Sequence, residues 1–368
     1  MSLAVLLALF LTLVSLTTEA SSNSSQSKEN LCAFDRENAQ QVIELLNVKP
    51  ELAPFHHNTL YPRILCFAIT YSVQHSTRVQ AVADTWGQRC NYLIFFSNMS
   101  DAIIVGANTS AERQFDVVQL DIIADHAHLW LRTRAALKYI HNHFRHDYDW
   151  FYKCDDDTYV IVENLRAYLN RPEILQRVSQ EPMQVGHRLS MPLNTLDFYI
   201  KDESLRLKWH SRWNRMIYNS GGAGYVVNRL FLDKFAESLP MKTCLSDEES
   251  SRMPEDAGVS FCMMWNNVFP WDTRDYRGRD RWHALDPRHI FIKWVDPTIW
   301  HIRYHEDIGG VGSQGESAAP DSVAFHYVQP PLMYHLERKL YLCHSEFDDI
   351  AMFNENYGLA IGEKVMVL

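Results

Sequence analysis

The 368-residue chain is 46% hydrophobic and 22% charged, an ordinary globular composition with room for one large α/β domain or two smaller ones. Its formal charge of −10 and the absence of a basic stripe argue against nucleic acid as the main partner. Histidine is abundant, but neither HExxH nor CxxC zinc spacing occurs.

The first twenty residues are predicted to be a targeting segment, either a signal peptide or a short signal-anchor. Residues 3–16 are almost wholly apolar, and Thr18-Glu19-Ala20 followed by two serines resembles a signal-peptidase site. The run is shorter than the roughly 20 apolar residues of a membrane span, and no Lys or Arg precedes it. The body of the chain is therefore expected in the secretory lumen, with membrane contact only through this segment.

Glycosylation sequons bear on that compartment, and the composition suggests the domain boundaries. Sequons at Asn23, Asn98 and Asn108 fit a secreted chain. We predict a stem over residues 21–60, a folded domain over 61–345 and a C-terminal tail over 346–368.

Seven cysteines are expected mostly to pair in an oxidising lumen, and the odd count leaves at least one free or intermolecular. They are Cys32, Cys66, Cys90, Cys154, Cys244, Cys262 and Cys343. Their spacing does not give the connectivity, and no pair has zinc-site spacing.

Strand-like and helix-like segments alternate from about residue 61. The predicted strands are 63–70, 91–96, 116–122 and 183–186. The predicted helices are 77–86, 129–144, 162–169, 229–238 and 257–268. This rhythm predicts a Rossmann-like α/β fold, a mostly parallel sheet with helices on both faces.

The most informative stretch is DWFYKCDDDTYVIVEN, residues 149–164, in which two apolar runs flank Asp155, Asp156 and Asp157. Three adjacent carboxylates repel one another, so burial requires positive charge among them. Hard divalent cations take oxygen ligands and keep positions open for substrate phosphates. We interpret the acids as a metal site at the carboxyl edge of the sheet, where open α/β folds bind ligands. A solvated acidic turn is the alternative.

Two segments after the acids are candidates for a binding cleft. Residues 187–218 are rich in Arg, Lys, Trp and Tyr without clean periodicity, and we predict a long surface excursion that lines a cleft and ends at Tyr218. In the following NSGGAGYVVN, Gly221 and Gly222 allow close backbone approach. A tight structural turn explains these glycines equally well.

A helix is predicted to begin at Pro254, with Glu255 and Asp256 in its first turn. These acids either complement the helix dipole or place a base on a rigid element. Several tryptophans follow, Trp282 among them, and they either pack in the core or offer apolar faces to a sugar.

Together, the segments resemble the core 1 β1,3-galactosyltransferase family over about residues 61–342. The resemblance is carried, in order, by RILCFAIT, TWGQRCN, DWFYKCDDDTYVIVENL, SGGAGYVV, PEDAGVSFCM and AFHYVQPPLMYHLE. It implies a GT-A fold and Mn²⁺-dependent, inverting transfer of galactose from UDP-galactose to O-linked GalNAc of glycoproteins. It also implies a Golgi location with type II topology, and a possible homodimer.

Carried over residue by residue, the resemblance assigns roles within this chain. Asp155, Asp157 and His326 would hold the metal, although a lone histidine in an apolar strand is usually a core residue. Asp256 would be the catalytic base, with Glu255 its substitute. The nucleotide sugar would contact Asp156, Arg132, Gly221 and Gly222, and the acceptor would contact Trp282 and Tyr218. The implied disulfides are Cys66–Cys90 and Cys244–Cys262.

Cys154 departs from the family's pattern, because a small alanine typically precedes the acids, and this cysteine could crowd the site. Two alternative functions stay open. One is a fringe-like β1,3-N-acetylglucosaminyltransferase that uses UDP-GlcNAc, and the other is a non-enzymatic, chaperone-like paralogue.

Overall fold

A computed structural model describes residues 46–50, 62–100, 104–106, 113–245, 252–292, 300–310 and 317–342. The predicted targeting segment, the tail, the sequons at Asn23 and Asn108, and Cys32 and Cys343 lie outside these residues. Within the described ranges, no helix combines the length and apolar character that a bilayer crossing requires.

Thirteen strands are present in the described residues. They are β1 Ile64–Ile69, β2 Tyr92–Ser97, β3 Ile104–Gly106, β4 Arg113–Gln119, β5 Trp150–Asp155, β6 Tyr159–Val160, β7 Gln184–Gly186, β8 Arg188–Pro192, β9 Arg215–Asn219, β10 Tyr225–Asn228, β11 Pro270–Trp271, β12 Trp282–His283 and β13 Ala324–Phe325.

The α-helices of the described residues surround these strands. They are α1 Gln80–Asp84, α2 Leu129–Phe144, α3 Val162–Leu169, α4 Pro172–Leu175, α5 Glu203–Arg212, α6 Arg229–Ser238, α7 Glu255–Met264, α8 Pro287–Phe291, α9 Trp300–Arg303 and α10 Pro330–Glu337.

The main sheet has eight strands in the order β11-β7-β10-β5-β1-β2-β4-β3. Strands β5, β1, β2 and β4 run parallel, while β10 lies antiparallel between β5 and β7. A three-stranded sheet, β12-β13-β6, and the antiparallel pair β8-β9 complete the fold. The parallel block places the carboxyl ends of β1, β2 and β5 at one edge, which is where the acids of residues 155–157 lie.

Both faces of the main sheet are buried, as parallel strands with crossover helices require. Strand β1 shows the alternation most clearly. Its Cys66 and Ala68 face one hydrophobic cluster, and its Leu65 and Phe67 face the other. Continuous apolar strands such as ILCFAI are the sequence signature of that arrangement.

The predicted α/β class is confirmed, and the bounds of α2, α3 and α6 agree with the prediction. The strand predicted over 116–122 starts earlier, at Arg113, because its pairing with β3 involves residues 113–115. Residues 46–50 fall in the predicted stem, yet Leu46 and Val48 are buried against the domain.

The prediction of a surface excursion over residues 187–218 is wrong. The segment forms β8, α5 and β9, and Trp209 and Met216 within it have no exposed surface. Trp209 and Tyr218 are buried in the second core cluster, and Tyr199 and Trp213 pack against it, although Phe198 is 70% exposed. Burial from several directions explains why the segment lacks a clear periodicity.

Within the described part of the chain, two disulfides crosslink the domain, and they are the two that the family resemblance implied. Cys66–Cys90 ties β1 to the loop before β2, and Cys244–Cys262 ties the segment after α6 to α7. Closing the first loop, a sequence separation of 24, contributes about 3 kcal/mol in the chain-entropy model. Cys154 is free and fully buried, and burial raises the pKa of its thiol well above the ordinary value. Its sulfur points toward the Phe67 carbonyl, so it fills core space.

Candidate active site

The three aspartates lie at the carboxyl edge of the sheet, where β5 ends beside β1. The Thr70 hydroxyl, just beyond β1, donates to Asp156 at 2.6 Å. One guanidinium nitrogen of Arg78 lies 3.2 Å from carboxylate oxygens of both Asp156 and Asp157. The acids are therefore largely buried and held from two sides, which excludes the alternative of a solvated acidic turn.

Asp155, Asp157 and His326 converge into a cluster whose ligand atoms all lie within 4.8 Å of one another. The His326 Nε2 is 3.3 Å from Asp157 Oδ1 and 3.8 Å from Asp155 Oδ2. Neighbouring ligand atoms on one octahedral ion are about 3 Å apart. The cluster therefore needs only small side-chain movements to hold a divalent cation.

Lys153, inside β5, is the buried positive charge that the acids require. Its Nζ lies 2.9 Å from Asp155 and 2.5 Å from Glu255, and it also donates to the Gly221 carbonyl at 3.2 Å. Burial alone would lower the pKa of Lys153, but Asp155 and Glu255 outweigh burial and hold this pKa above its ordinary value. Three acceptors around one ammonium indicate that Lys153 stays charged and that Glu255 is its ion-pair partner.

The pKa values of the acids follow from their partners. Burial would raise the pKa of Asp155, but Lys153 and His326 outweigh it and leave this pKa lowered. Burial, with help from the neighbouring Asp157, raises the pKa of Asp156 to about 6. Lys153 thus favours the ionised form of Asp155, whereas burial and the charge of Asp157 favour the protonated form of Asp156.

Gly221 and Gly222 bring the backbone between β9 and β10 against the cluster. A Cβ on Gly222 would lie 1.9 Å from the His326 ring, and a Cβ on Gly221 would lie 1.8 Å from a Glu255 oxygen. The Gly222 carbonyl also accepts a hydrogen bond from Thr158 at 2.6 Å. These glycines make room for the side chains of the site, and the nucleotide contact predicted for them stays a prediction.

Asp256 lies in the first turn of α7, next to the glycine turn. Its carboxylate accepts hydrogen bonds from the backbone N–H of Gly221 at 3.0 Å and of Ala257 at 2.8 Å. Burial raises the pKa of Asp256 even though these two donors oppose the shift. A carboxyl with a raised pKa is a stronger base once ionised. Among the described residues no lysine forms an ion pair with Asp256 as Lys153 does with Glu255.

Three of the predicted contact residues are buried instead. Arg132 donates to the carbonyl of Thr70 and packs over the Tyr71 ring, so it joins strand ends. Trp282 has no exposed surface and packs edge-on against Tyr168. Tyr218 is 4% exposed. Trp282 therefore offers no face to an acceptor in this conformation, while the nucleotide contact of Arg132 and the acceptor contact of Tyr218 stay predictions.

Tyr327 is a residue of the site that sequence reasoning missed. It is 47% exposed, and its ring stacks on that of His326 with centroids 3.7 Å apart. Its φ of 54° lies in the left-handed region, which is unusual for a non-glycine residue. Burial is the main cause of the raised pKa of Tyr327, and the negative charges of Asp157, Asp155 and Asp256 raise it further. The ring therefore lies close to the carboxylates of both the metal cluster and Asp256.

Replacing Gly222 with alanine is expected to displace the His326 ring and to weaken cation binding by about 10- to 100-fold, as the loss of a supporting contact does in other metal sites. Titration of Mn²⁺ by calorimetry would measure this change. Gly278→Ala is the control for backbone strain alone, because a Cβ there meets no atom within 4 Å while its φ of +77° disfavours any side chain. Equal Mn²⁺ affinity in both variants would contradict the proposed packing of His326.

A sheet of this order with an acidic cluster at its carboxyl edge defines a GT-A fold. A family model described as Fringe-like matches residues 64–269, which include the aspartates, the glycine turn and Asp256. The chain belongs to the Fringe-like family, and its resemblance to the core 1 β1,3-galactosyltransferases is confirmed.

Two relatives indicate the range of this similarity. The chain is 27% identical over 281 residues to glycoprotein-N-acetylgalactosamine 3-beta-galactosyltransferase 1 of Xenopus laevis, with 76% of this chain and 66% of that protein covered. It is 22% identical over 244 residues to a beta-1,3-glucosyltransferase of Mus musculus, with 61% and 41% covered. The chain thus spans less than two thirds of the length of both relatives.

Proposed function

We propose that the protein is an inverting, Mn²⁺-dependent β1,3-galactosyltransferase that transfers galactose from UDP-galactose to O-linked GalNAc of glycoproteins. The observation that carries the proposal is that the metal cluster and Asp256 both contact the same glycine turn. The cluster of Asp155, Asp157 and His326 meets the glycine turn at Gly222, and Asp256 binds the same turn at Gly221.

The donor set fits the proposed cation. Two carboxylates and one imidazole are oxygen and nitrogen ligands of the kind that Mn²⁺ accepts. When bound, Mn²⁺ supplies Lewis-acid neutralisation of the charge that develops on the departing diphosphate. Lys153 keeps Asp155 ionised for this purpose, and Arg78 forms an ion pair with Asp157.

Asp256 is proposed as the base. The acceptor 3-hydroxyl is a poor nucleophile, so a carboxylate has to take its proton as the oxygen attacks the anomeric carbon. Attack on the side opposite the UDP group inverts the linkage from α to β. Glu255 is the weaker candidate because its carboxylate is engaged by Lys153 and its side chain is buried. The exposed ring of Tyr327 is proposed to contact a sugar.

The two alternatives from the sequence differ in what they require of this site. A UDP-GlcNAc transferase would use the same metal cluster and base with a different donor pocket, and the Fringe-like match is compatible with it. A chaperone-like paralogue needs no metal cluster, and the intact arrangement of acids, His326 and Asp256 argues against that function.

The proposed site of action is the lumen of the secretory pathway, in the Golgi. Two disulfides within the described residues favour an oxidising compartment over the cytosol. Membrane attachment through the N-terminal segment and a homodimer stay predictions.

The test is transfer of labelled galactose from UDP-galactose to a peptide bearing O-linked GalNAc. We expect β1,3-linked product with Mn²⁺ and none after chelation. UDP-GlcNAc is supplied in a parallel reaction. Transfer from UDP-GlcNAc alone would replace the galactosyltransferase proposal with the fringe-like one, and the absence of transfer and donor hydrolysis with either nucleotide would favour the non-enzymatic paralogue.

A further inference from the structure

A second cluster of metal-ligating side chains lies outside the candidate active site. His187, at the end of β7, meets His301 and His305 from the segment around α9, with one ligand atom of each within 4.8 Å of the others. All three side chains are buried, none more than 6% exposed. The His187 and His301 rings lie nearly parallel with centroids 5.7 Å apart, and the His305 ring lies between 4 and 5 Å from both.

The hydrogen bonds fix the tautomers of two of these rings. His187 Nδ1 faces the Trp282 carbonyl, and His305 Nδ1 faces the His301 carbonyl. A carbonyl only accepts, so each Nδ1 carries the proton and each Nε2 carries a lone pair. The two Nε2 atoms nevertheless face each other at 2.9 Å. Two neutral rings in these tautomers have no hydrogen between those atoms, so something electrophilic must share the lone pairs.

A metal ion satisfies this geometry in a specific way. Metal-bound histidines usually donate their other ring N–H to a backbone carbonyl or a carboxylate, and both His187 and His305 do so. Two nitrogens on a tetrahedral Zn²⁺, each about 2.05 Å from the ion, are about 3.3 Å apart, close to the observed separation. The buried Nδ1 of His301 has no hydrogen-bond partner among the described residues, so this ring has a nitrogen to spare.

The charges around the cluster are mixed. Asp280 Oδ1 lies 3.9 Å from His187 Nδ1, and burial raises the pKa of Asp280 to about 6. Arg274 is the nearby cation, but Asp272 engages it in a bidentate pair. His283, behind the cluster, hydrogen-bonds to Ser322. All three imidazoles are buried, and the neutral imidazole is the form that binds a metal.

We propose that His187, His301 and His305 form a second metal site that holds a structural Zn²⁺, with water as the fourth ligand. Three neutral imidazoles suit Zn²⁺ better than Mn²⁺, which prefers oxygen. The ion would fasten α9 to the end of β7. The His187 carbonyl accepts a hydrogen bond from the backbone N–H of Ser220, which immediately precedes Gly221. An ion bound to His187 would therefore also stabilise the position of the glycine turn.

The proposal does not depend on the transferase activity. The test uses the full chain, purified from a secreting cell without a polyhistidine tag, and its readout is metal content. Three proteins are compared: the wild type, H301Q/H305Q and D157N/H326Q. After removal of loose metal, Zn²⁺ alone is titrated against a chromophoric chelator, and X-ray absorption at the zinc edge is recorded on the unmodified protein.

We expect about one tightly held Zn²⁺ per chain in the wild type and in D157N/H326Q, and less than a tenth of that in H301Q/H305Q. The absorption spectrum is expected to show imidazole scattering, and excess Zn²⁺ should raise the melting temperature of the stripped wild type by about 5 °C or more. If H301Q/H305Q fails to fold, the wild-type spectrum decides alone. The proposal would be overturned by equal zinc content in all three proteins, by no bound zinc, or by a zinc coordination shell without imidazole. The short contact between the two Nε2 atoms would then be explained by a proton shared between the rings.

Discussion

Replacing Asp157 with alanine is expected to reduce galactose transfer by at least about 10³-fold while the protein still folds and is secreted. The loss follows because neutralising the charge on a departing diphosphate is worth several kcal/mol and each 1.36 kcal/mol is a factor of ten. Folding should survive because Asp157 adds like charge beside Asp155 and Asp156, and its partner Arg78 keeps access to solvent. Initial rates with saturating Mn²⁺ and UDP-galactose measure the effect.

The matched control is Asp149→Asn. Asp149 precedes the same strand β5 at its opposite end and forms an exposed pair with Arg63. Such surface pairs contribute about 0–1 kcal/mol, so transfer should stay within about twofold of the wild type. Measurable turnover by the Asp157 variant, at more than a tenth of the control's rate, would refute the role of Asp157 as a ligand.

Replacing Asp256 with asparagine is the second large effect that we expect. The variant should bind UDP with Mn²⁺ as the wild type does and lose transfer by about 10²- to 10⁴-fold, the range associated with a general base. Asparagine is nearly isosteric and can still accept a hydrogen bond from Gly221 or Ala257. Calorimetric UDP binding and single-turnover rates separate the two steps.

The pH dependence distinguishes Asp256 from its neighbour. A base acts only when ionised, and burial raises the pKa of Asp256, so kcat/KM should fall as pH falls through that raised value. In Glu255→Gln the same fall should persist, because Glu255 is the partner of Lys153. Unchanged turnover in Asp256→Asn, or loss of the pH dependence in Glu255→Gln alone, would move the base to Glu255.

Much of the fold could be predicted because its signals are local. Helices α2 and α3 carry apolar residues at helical spacing, and β1 and β2 are continuous apolar runs. The β8–β9 pair was missed because long-range contacts define it, such as the bond from the Ser190 N–H to the Tyr304 carbonyl. Local periodicity holds no information on such contacts.

The site was predictable to a similar degree. The acids could be recognised because carboxylates seldom interrupt apolar strands. Lys153, two residues before Asp155, is likewise a charged residue in an apolar strand, so it could have been recognised as their buried partner. The burial of Trp282 and Arg132 depended on neighbours distant in sequence. In the histidine cluster, the four-residue spacing of His301 and His305 could be read from the sequence, because residues four apart share a helix face. His187 could not be assigned to the cluster, because it lies more than a hundred positions away.

The central claim is that a cation held by the aspartate cluster positions a sugar nucleotide beside Asp256. The most direct measurement is anomalous X-ray diffraction from crystals grown with Mn²⁺ and UDP. The account predicts a manganese peak about 2.2 Å from oxygens of Asp155 or Asp157 and from the Nε2 of His326, with the diphosphate on the same ion. A manganese peak elsewhere, or UDP bound with no ion at these side chains, would contradict it.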